Sequence, residues 1–359
     1  MFRRFGGPLL VCAFAGCLGV SRKSMNEVHP ASPLAAADAR LAECRAKLEV
    51  SPRLYPVWAE AGEAHLERAR VTRDPHDVAR AEEAFRRSLE LQENAVALRG
   101  MAALANFRHR FDEALQWAPR AMRAWPEDTS VRAMQIEALL ALDRLDETRA
   151  VLRAAPPRVD DFHGRCARAR ILVAEGRTEE GVEEYLAAAG IARDVSADLA
   201  AWARIRAAAA RLDSGSPEAA RAALEQLLIE RPNDVDALVH FSEAAAATDL
   251  PGEALAALER ALTIAPDPTI RAVASPLARR IGDAERATAH AEAASRALER
   301  AVDAGEHYTL VPLVHLALDR GDFLGAHEWA RLHLERVPSA AARELLAKVE
   351  AGPRGTALE

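Results

Sequence analysis

The chain has 359 residues, 50% hydrophobic and 28% charged but only 5% aromatic, with a formal net charge of −7. Apolar content so regularly placed excludes intrinsic disorder, and an acidic balance with no basic stripe excludes a nucleic-acid footprint. After the first segment no apolar run nears the ~20 residues a membrane helix needs.

Of 47 basic residues only Lys23, Lys47 and Lys348 are lysine. The arginine bias reads as coding composition and carries no hint of nucleic acid.

Met1 to Arg4 form a basic n-region, and Phe5 to Ala15 an apolar stretch of eleven residues. That is the length of a secretory h-region and too short to cross a bilayer. It runs into Phe14-Ala15-Gly16-Cys17, which resembles the lipobox of bacterial lipoproteins, with Phe14 where that family usually has Leu. The resemblance implies removal of residues 1–16 as a signal peptide and attachment of diacylglycerol to the Cys17 thiol. Leu18 rather than Asp follows the cysteine, which favours an outer-membrane lipoprotein facing the periplasm. The alternatives are ordinary cleavage after Ala13-Phe14-Ala15, giving a soluble periplasmic protein, and an uncleaved or unexported chain. Cleavage before Cys17 removes Arg3 and Arg4 and no acid, taking the charge from −7 to −9.

Residues 17–36 then read as a lipidated N-terminus and polar tether, and residues 37–53 as an N-terminal helix. Cys12 leaves with the signal. Cys44 and Cys166 are expected as buried free thiols, although a periplasm would permit a bridge.

From residue 81 a phrase recurs: small residue, three residues, large apolar, two residues, small residue. It reads Ala81-x3-Phe85-x2-Ser88, Ala114-x3-Ala118-x2-Ala121, Thr148-x3-Leu152-x2-Ala155 and Gly181-x3-Tyr185-x2-Ala188. It continues as Ala220-x3-Leu224-x2-Leu227, Ala254-x3-Leu258-x2-Ala261, Ala287-x3-Ala291-x2-Ala294 and Ala326-x3-Ala330-x2-His333. The gaps between first residues are 33, 34, 33, 39, 34, 33 and 39. Both periods of 39 read as five extra residues in inter-helix turns. The spacings put each phrase on one helical face. Upstream of each lies a second helical stretch, such as Leu98-x2-Met101-Ala102-x2-Ala105. Breakers such as Glu175-Gly-Arg177 and Arg320-Gly-Asp322 separate the two. The stretch Thr72–Asp77 reads as a lengthened turn, and Pro276 should kink its helix or delay its start to Ser275.

This pattern resembles the tetratricopeptide repeat (TPR), with Trp58-x2-Ala61-Gly62-x2-His65 as the opening first-helix signature. The resemblance implies an all-α, right-handed α-solenoid of about eight helix-turn-helix units over residues 54–338. A capping helix and tail follow over 339–359, and each unit packs only on its neighbours.

No residue pattern supports catalysis: G-x-x-x-x-G-K-[ST], G-x-S-x-G, H-E-x-x-H and CxxC are all missing. No cofactor, metal or small-molecule substrate is therefore expected, although four histidines (His307, His315, His327, His333) fall in the last unit. The five tryptophans read as packing residues.

In TPR proteins the first helices line a concave groove. The resemblance places Glu63, Arg99, Asn106, Glu137, Arg170, His240, Glu243 and His315 on its wall. The Lys/Asn arrangement with which chaperone-binding TPR domains grip a terminal carboxylate is not reproduced. The expected function is a non-enzymatic protein-interaction scaffold on the outer membrane, of the kind that helps assemble a pilus or secretin. It would hold a protein partner in the groove and touch membrane only through its lipid. The alternatives are a self-assembling structural repeat protein and an enzyme with a groove site of unrecognised type.

Overall fold

The computed structural model describes residues 33–72, 74–154, 162–303 and 305–352. The signal, Cys17 and the tether up to residue 32 lie outside them. Among the described residues are eighteen α-helices and no strand. They fall into two compact units, one holding residues 33–140 and 144–154, the other 141–143 and 162–352.

The first unit begins with α1 (Pro33–Val50), followed by α2 (Tyr55–Thr72) with α3 (Pro75–Leu91) and α4 (Ala95–Phe107) with α5 (Phe111–Ala124). It closes with α6 (Thr129–Ala141) and α7 (Leu145–Ala154). The second unit pairs α8 (Phe162–Ala174) with α9 (Thr178–Ala192), α10 (Ala197–Asp213) with α11 (Pro217–Glu230), and α12 (Val235–Ala247) with α13 (Pro251–Ile264). It goes on through α14 (Pro268–Arg280) with α15 (Ala284–Asp303) and α16 (Leu310–Asp319) with α17 (Phe323–Arg336), and ends at α18 (Ala340–Ala351). Pair partners such as α2 and α3, or α8 and α9, pack on each other. First helices also meet first helices: α2 touches α4, α10 touches α12, and α14 touches α16.

The recurring phrase falls on the second helix of every pair, and its first residue is buried each time, from Ala81 and Ala114 to Ala287 and Ala326. A small side chain there lets the paired helix come close. Gly181 marks the tightest approach: a Cβ on it would lie 2.7 Å from Val173 Cγ2 and 2.9 Å from the Ala169 carbonyl oxygen.

Three first helices, α4, α12 and α14, are started by Asx caps that satisfy orphan amides. Asn94 Oδ1 accepts from Ala97 N at 2.9 Å, Asp234 Oδ1 from Ala237 N at 3.1 Å, and Asp267 Oδ1 from Thr269 N at 2.8 Å. Between the helices of a pair the chain passes through one left-handed residue. His109, Gly176, Gly215, Asp249, Gly282 and Gly321 all have φ between 55° and 87°. Each ends its first helix with a backbone reversal, as in Gly282 N to Arg279 O at 3.0 Å.

Three local expectations are corrected. The 39-residue periods lengthen helices, not turns: α10 has 17 residues against 13 in α12, and α15 has 20 against 14 in α13. A helix absorbs extra residues by adding a turn along a face that is already apolar. The turn after Thr72 is short, because Asp74 caps α3 through His76 N at 2.9 Å and Pro75 occupies the first helical position. Finally, α14 starts at Pro268 and runs through Pro276. Within it Ser275 Oγ donates to the Ala287 carbonyl of α15 at 3.0 Å.

Cys44 and Cys166 are both buried, and neither is in a disulfide. Arginines join neighbouring helices: Arg120 reaches Glu93 at 2.5 Å, Arg204 grips Glu230 at 2.6 and 3.0 Å, and Arg286 reaches Glu259 at 2.9 Å. Such exposed pairs contribute little each.

Candidate partner-binding face

In the first unit, α2 and α4 place Glu63 and Arg99 opposite each other. The Arg99 guanidinium donates to Glu63 and, from Nη1, to Asp128 Oδ2 at 3.0 Å. It also lies 5.7 Å from the centre of the Trp125 ring, a side chain that is 44% exposed. Burial disfavours the charge on Arg99, but Glu63 and Asp128 outweigh it and hold the group above its ordinary pKa. Arg40 of α1 adds a second cation 3.8 Å from Glu63. This face is therefore neutralised from within.

Asn106, expected on the groove wall, is 0% exposed and donates from Nδ2 to the Met134 carbonyl at 2.9 Å. It ties α4 to α6. Glu137 of α6 is half-buried.

The second unit brings three of the expected residues together. On α12, His240 Nδ1 lies 2.8 Å from Glu243 Oε2. Burial would push the imidazole pKa down, but the Glu243 carboxylate pushes harder and leaves it above the ordinary value. Arg170 of α8 belongs to the same group, because its charge acts on Asp213 at the end of α10. Partial burial raises the Asp213 carboxyl above the usual range, with Glu243 adding to the rise and Arg206, His240 and Arg170 opposing it.

Arg206 and Asp213 were not among the residues expected from sequence. Yet Arg204 and Arg206 are the only charges between Leu199 and Ala210, and a charge retained in an alanine-rich helix was a usable signal. Arg204 is held by Glu230; Arg206 is half-buried and its Nε is sealed without an acceptor.

His315 of α16 is half-buried, and burial, aided by Lys348, lowers its pKa. It faces a different neighbourhood from His240. His333 occupies the small-residue slot of its phrase, so it is buried at a helix contact. Burial and the nearby His307 push its pKa down to about 4. The unfolded chain, near 6.5, takes up this proton first. Stability from neutral His333 is thus complete above pH 6.5 and is lost as pH falls towards 4. Between pH 7.5 and 5 the loss is about 2 kcal/mol. His290 and His315, also lowered, add to it, whereas the raised His240 acts in the opposite sense. His333→Gln should flatten the fall of Tm between pH 6.5 and 4, measured by circular dichroism. An unchanged slope would refute the assignment.

Among the described residues no three His, Cys, Asp or Glu side chains are grouped as a metal ion would require. A row of capped helix pairs, with polar groups gathered on the first helices, defines a helical-repeat protein. The family model described as tetratricopeptide repeat matches residues 211–277, from the end of α10 into α14. Residues 211–277 of the second unit thus carry the tetratricopeptide repeat. No curated protein matches the chain. Among solved structures, a tetratricopeptide repeat protein from Parabacteroides merdae is similar at 13% identity, over 80% of this chain and 98% of that one, with a TM-score of 0.39.

Proposed function

We propose that the chain is a non-enzymatic scaffold that takes a partner protein on the first-helix face of its second unit, and that lipid on Cys17 holds it at a bacterial outer membrane. TPR segments in general bind proteins, and the observation that carries the reading is the group Arg170, Arg206, Asp213, His240 and Glu243. These are charged residues from three successive first helices, and Asp213, His240 and Glu243 lie within the matched residues. Polar groups gathered at one place on a helical-repeat face suit the recognition of an extended segment. The anchor rests on Phe14-Ala15-Gly16-Cys17, and assembly of an envelope complex such as a pilus or secretin is the setting this anchor suggests.

The test is photocrosslinking in cells from a benzoylphenylalanine placed at Asp213, on the face, and at exposed Ile229, on a second helix. A discrete adduct from position 213 and none from 229 is expected; the reverse would sink the reading. In the same cells Cys17→Ala should move the protein out of the membrane fraction.

A second reading, self-association, has one observation in its favour. Val195, Ile229 and Ile264 are 69%, 70% and 43% exposed and recur at intervals of 34 and 35 residues. Sedimentation at high concentration would show a monomer if these residues carry no contact.

A further inference from the structure

Arg206 is the odd member of the second unit's ion pairs. Nearby arginines of comparable burial are matched: Arg204 with Glu230, Arg231 with Asp234 at 3.0 Å and Asp198 at 2.5 Å, Arg165 and Arg168 with Glu184 at 3.1 Å. Arg206 forms no ion pair or hydrogen bond among the described residues, and its Nε is sealed from solvent with no acceptor. The carboxylates in reach form no ion pair with it. Glu243 turns Oε2 to His240, and Asp213 is shared electrostatically among Arg206, His240 and Arg170.

His240 Nε2, the ring nitrogen turned from Glu243, also has no acceptor, and Glu243 Oε1 has no donor. A half-buried cation with no hydrogen bond or close ion pair is costly to fold around. The cost disappears when a ligand brings the missing charge.

We infer that Arg206, flanked by His240 and Arg170, is the anchor for an acidic side chain of an extended partner segment. The inference rests on the partner-binding reading of this face and deepens it. An Asp or Glu supplies the two acceptor oxygens that a guanidinium fork takes bidentately. The chain as a whole carries −7, so an acidic partner is repelled over most of its surface and attracted here. That sets register as well as affinity.

The test uses the purified full chain in detergent and fluorescent twelve-residue peptides on a Gly/Ser/Ala background. One peptide carries two glutamates, one two glutamines and one two lysines. The glutamate peptide should bind at least ~10-fold more tightly than the other two, consistent with one charged contact. It should also protect Arg206 from phenylglyoxal, mapped by mass spectrometry. Arg206→Gln should abolish the preference for glutamate while leaving Tm unchanged or higher.

The proposal is overturned if glutamate and glutamine peptides bind alike, if no peptide binds, or if Arg206→Gln lowers Tm and binds as the wild type does. Preference for the lysine peptide also overturns it. A discrete crosslink from Asp213 would then leave the scaffold reading standing, whereas loss of that crosslink removes both.

Discussion

Phe85→Ala is expected to lower the melting temperature of the first unit by roughly 10–20 °C. Phe85 of α3 is 0% exposed, and its ring fills space that two glycines leave open. An ideal Cβ on Gly62 of α2 would sit 2.6 Å from the ring, and one on Gly100 of α4 would sit 2.2 Å from it. One side chain from a second helix thus plugs the gap between two successive first helices. Truncation removes its buried area and leaves a cavity, together worth about 3–5 kcal/mol. The two glycines that flank the ring have no side chains to fill the space.

The glycines give an independent check. Gly100→Ala alone should also destabilise, because its methyl group meets a ring on fixed backbone. Combined with Phe85→Leu it should cost less than the sum of the two changes, since each relieves the other. Thermal melts of the four proteins by circular dichroism decide it; strictly additive losses would show that the approach is looser than described.

Phe85 also shows what the sequence could disclose. It is the large residue of the first recurring phrase, and the small residues around it, Ala81 and Ser88, are buried as their spacing required. Period, pairing and the contact face were legible because the packing constraint repeats eight times. What was not legible lies where the repeat changes. The extra residues of the 39-residue periods have no sequence mark that separates turn from helix, and in α10 they went into the helix. α10 contributed no expected site residue, although it carries Arg206 and Asp213.

Asn106 was misplaced for a different reason. A polar residue on a first helix can look outward to a partner or inward to an unpaired carbonyl, and only the position of Met134 O on α6 decides between them. The arginine bias was legible as a count. The count could not say that Arg204, two residues before Arg206, would pair with Glu230 while Arg206 would form no ion pair.

Arg99→Ala should destabilise the first unit by about 3 kcal/mol, within the range for breaking a buried pair by removing one member. The Arg99 side chain is 10% exposed, and its two partners, Glu63 and Asp128, are 17% and 9% exposed. Without the guanidinium two half-buried carboxylates, Glu63 of α2 and Asp128 just before α6, lose their shared partner. Arg40 remains 3.8 Å from Glu63, which keeps the loss at the low end of the range, and Asp128 retains only its bonds from Ser130.

Arg99→Lys should recover part of the loss, because an ammonium group can satisfy one carboxylate well but lacks the fork that spans both. Salt screens buried pairs weakly, so the difference between wild type and Arg99→Ala should persist in 0.5 M NaCl; its disappearance would mean that the network is effectively at the surface. The two arginines therefore make opposite predictions. Arg99 is matched on both sides, and its removal should appear in the melting temperature. Arg206 is matched on neither, and its removal should appear in binding of the glutamate peptide alone.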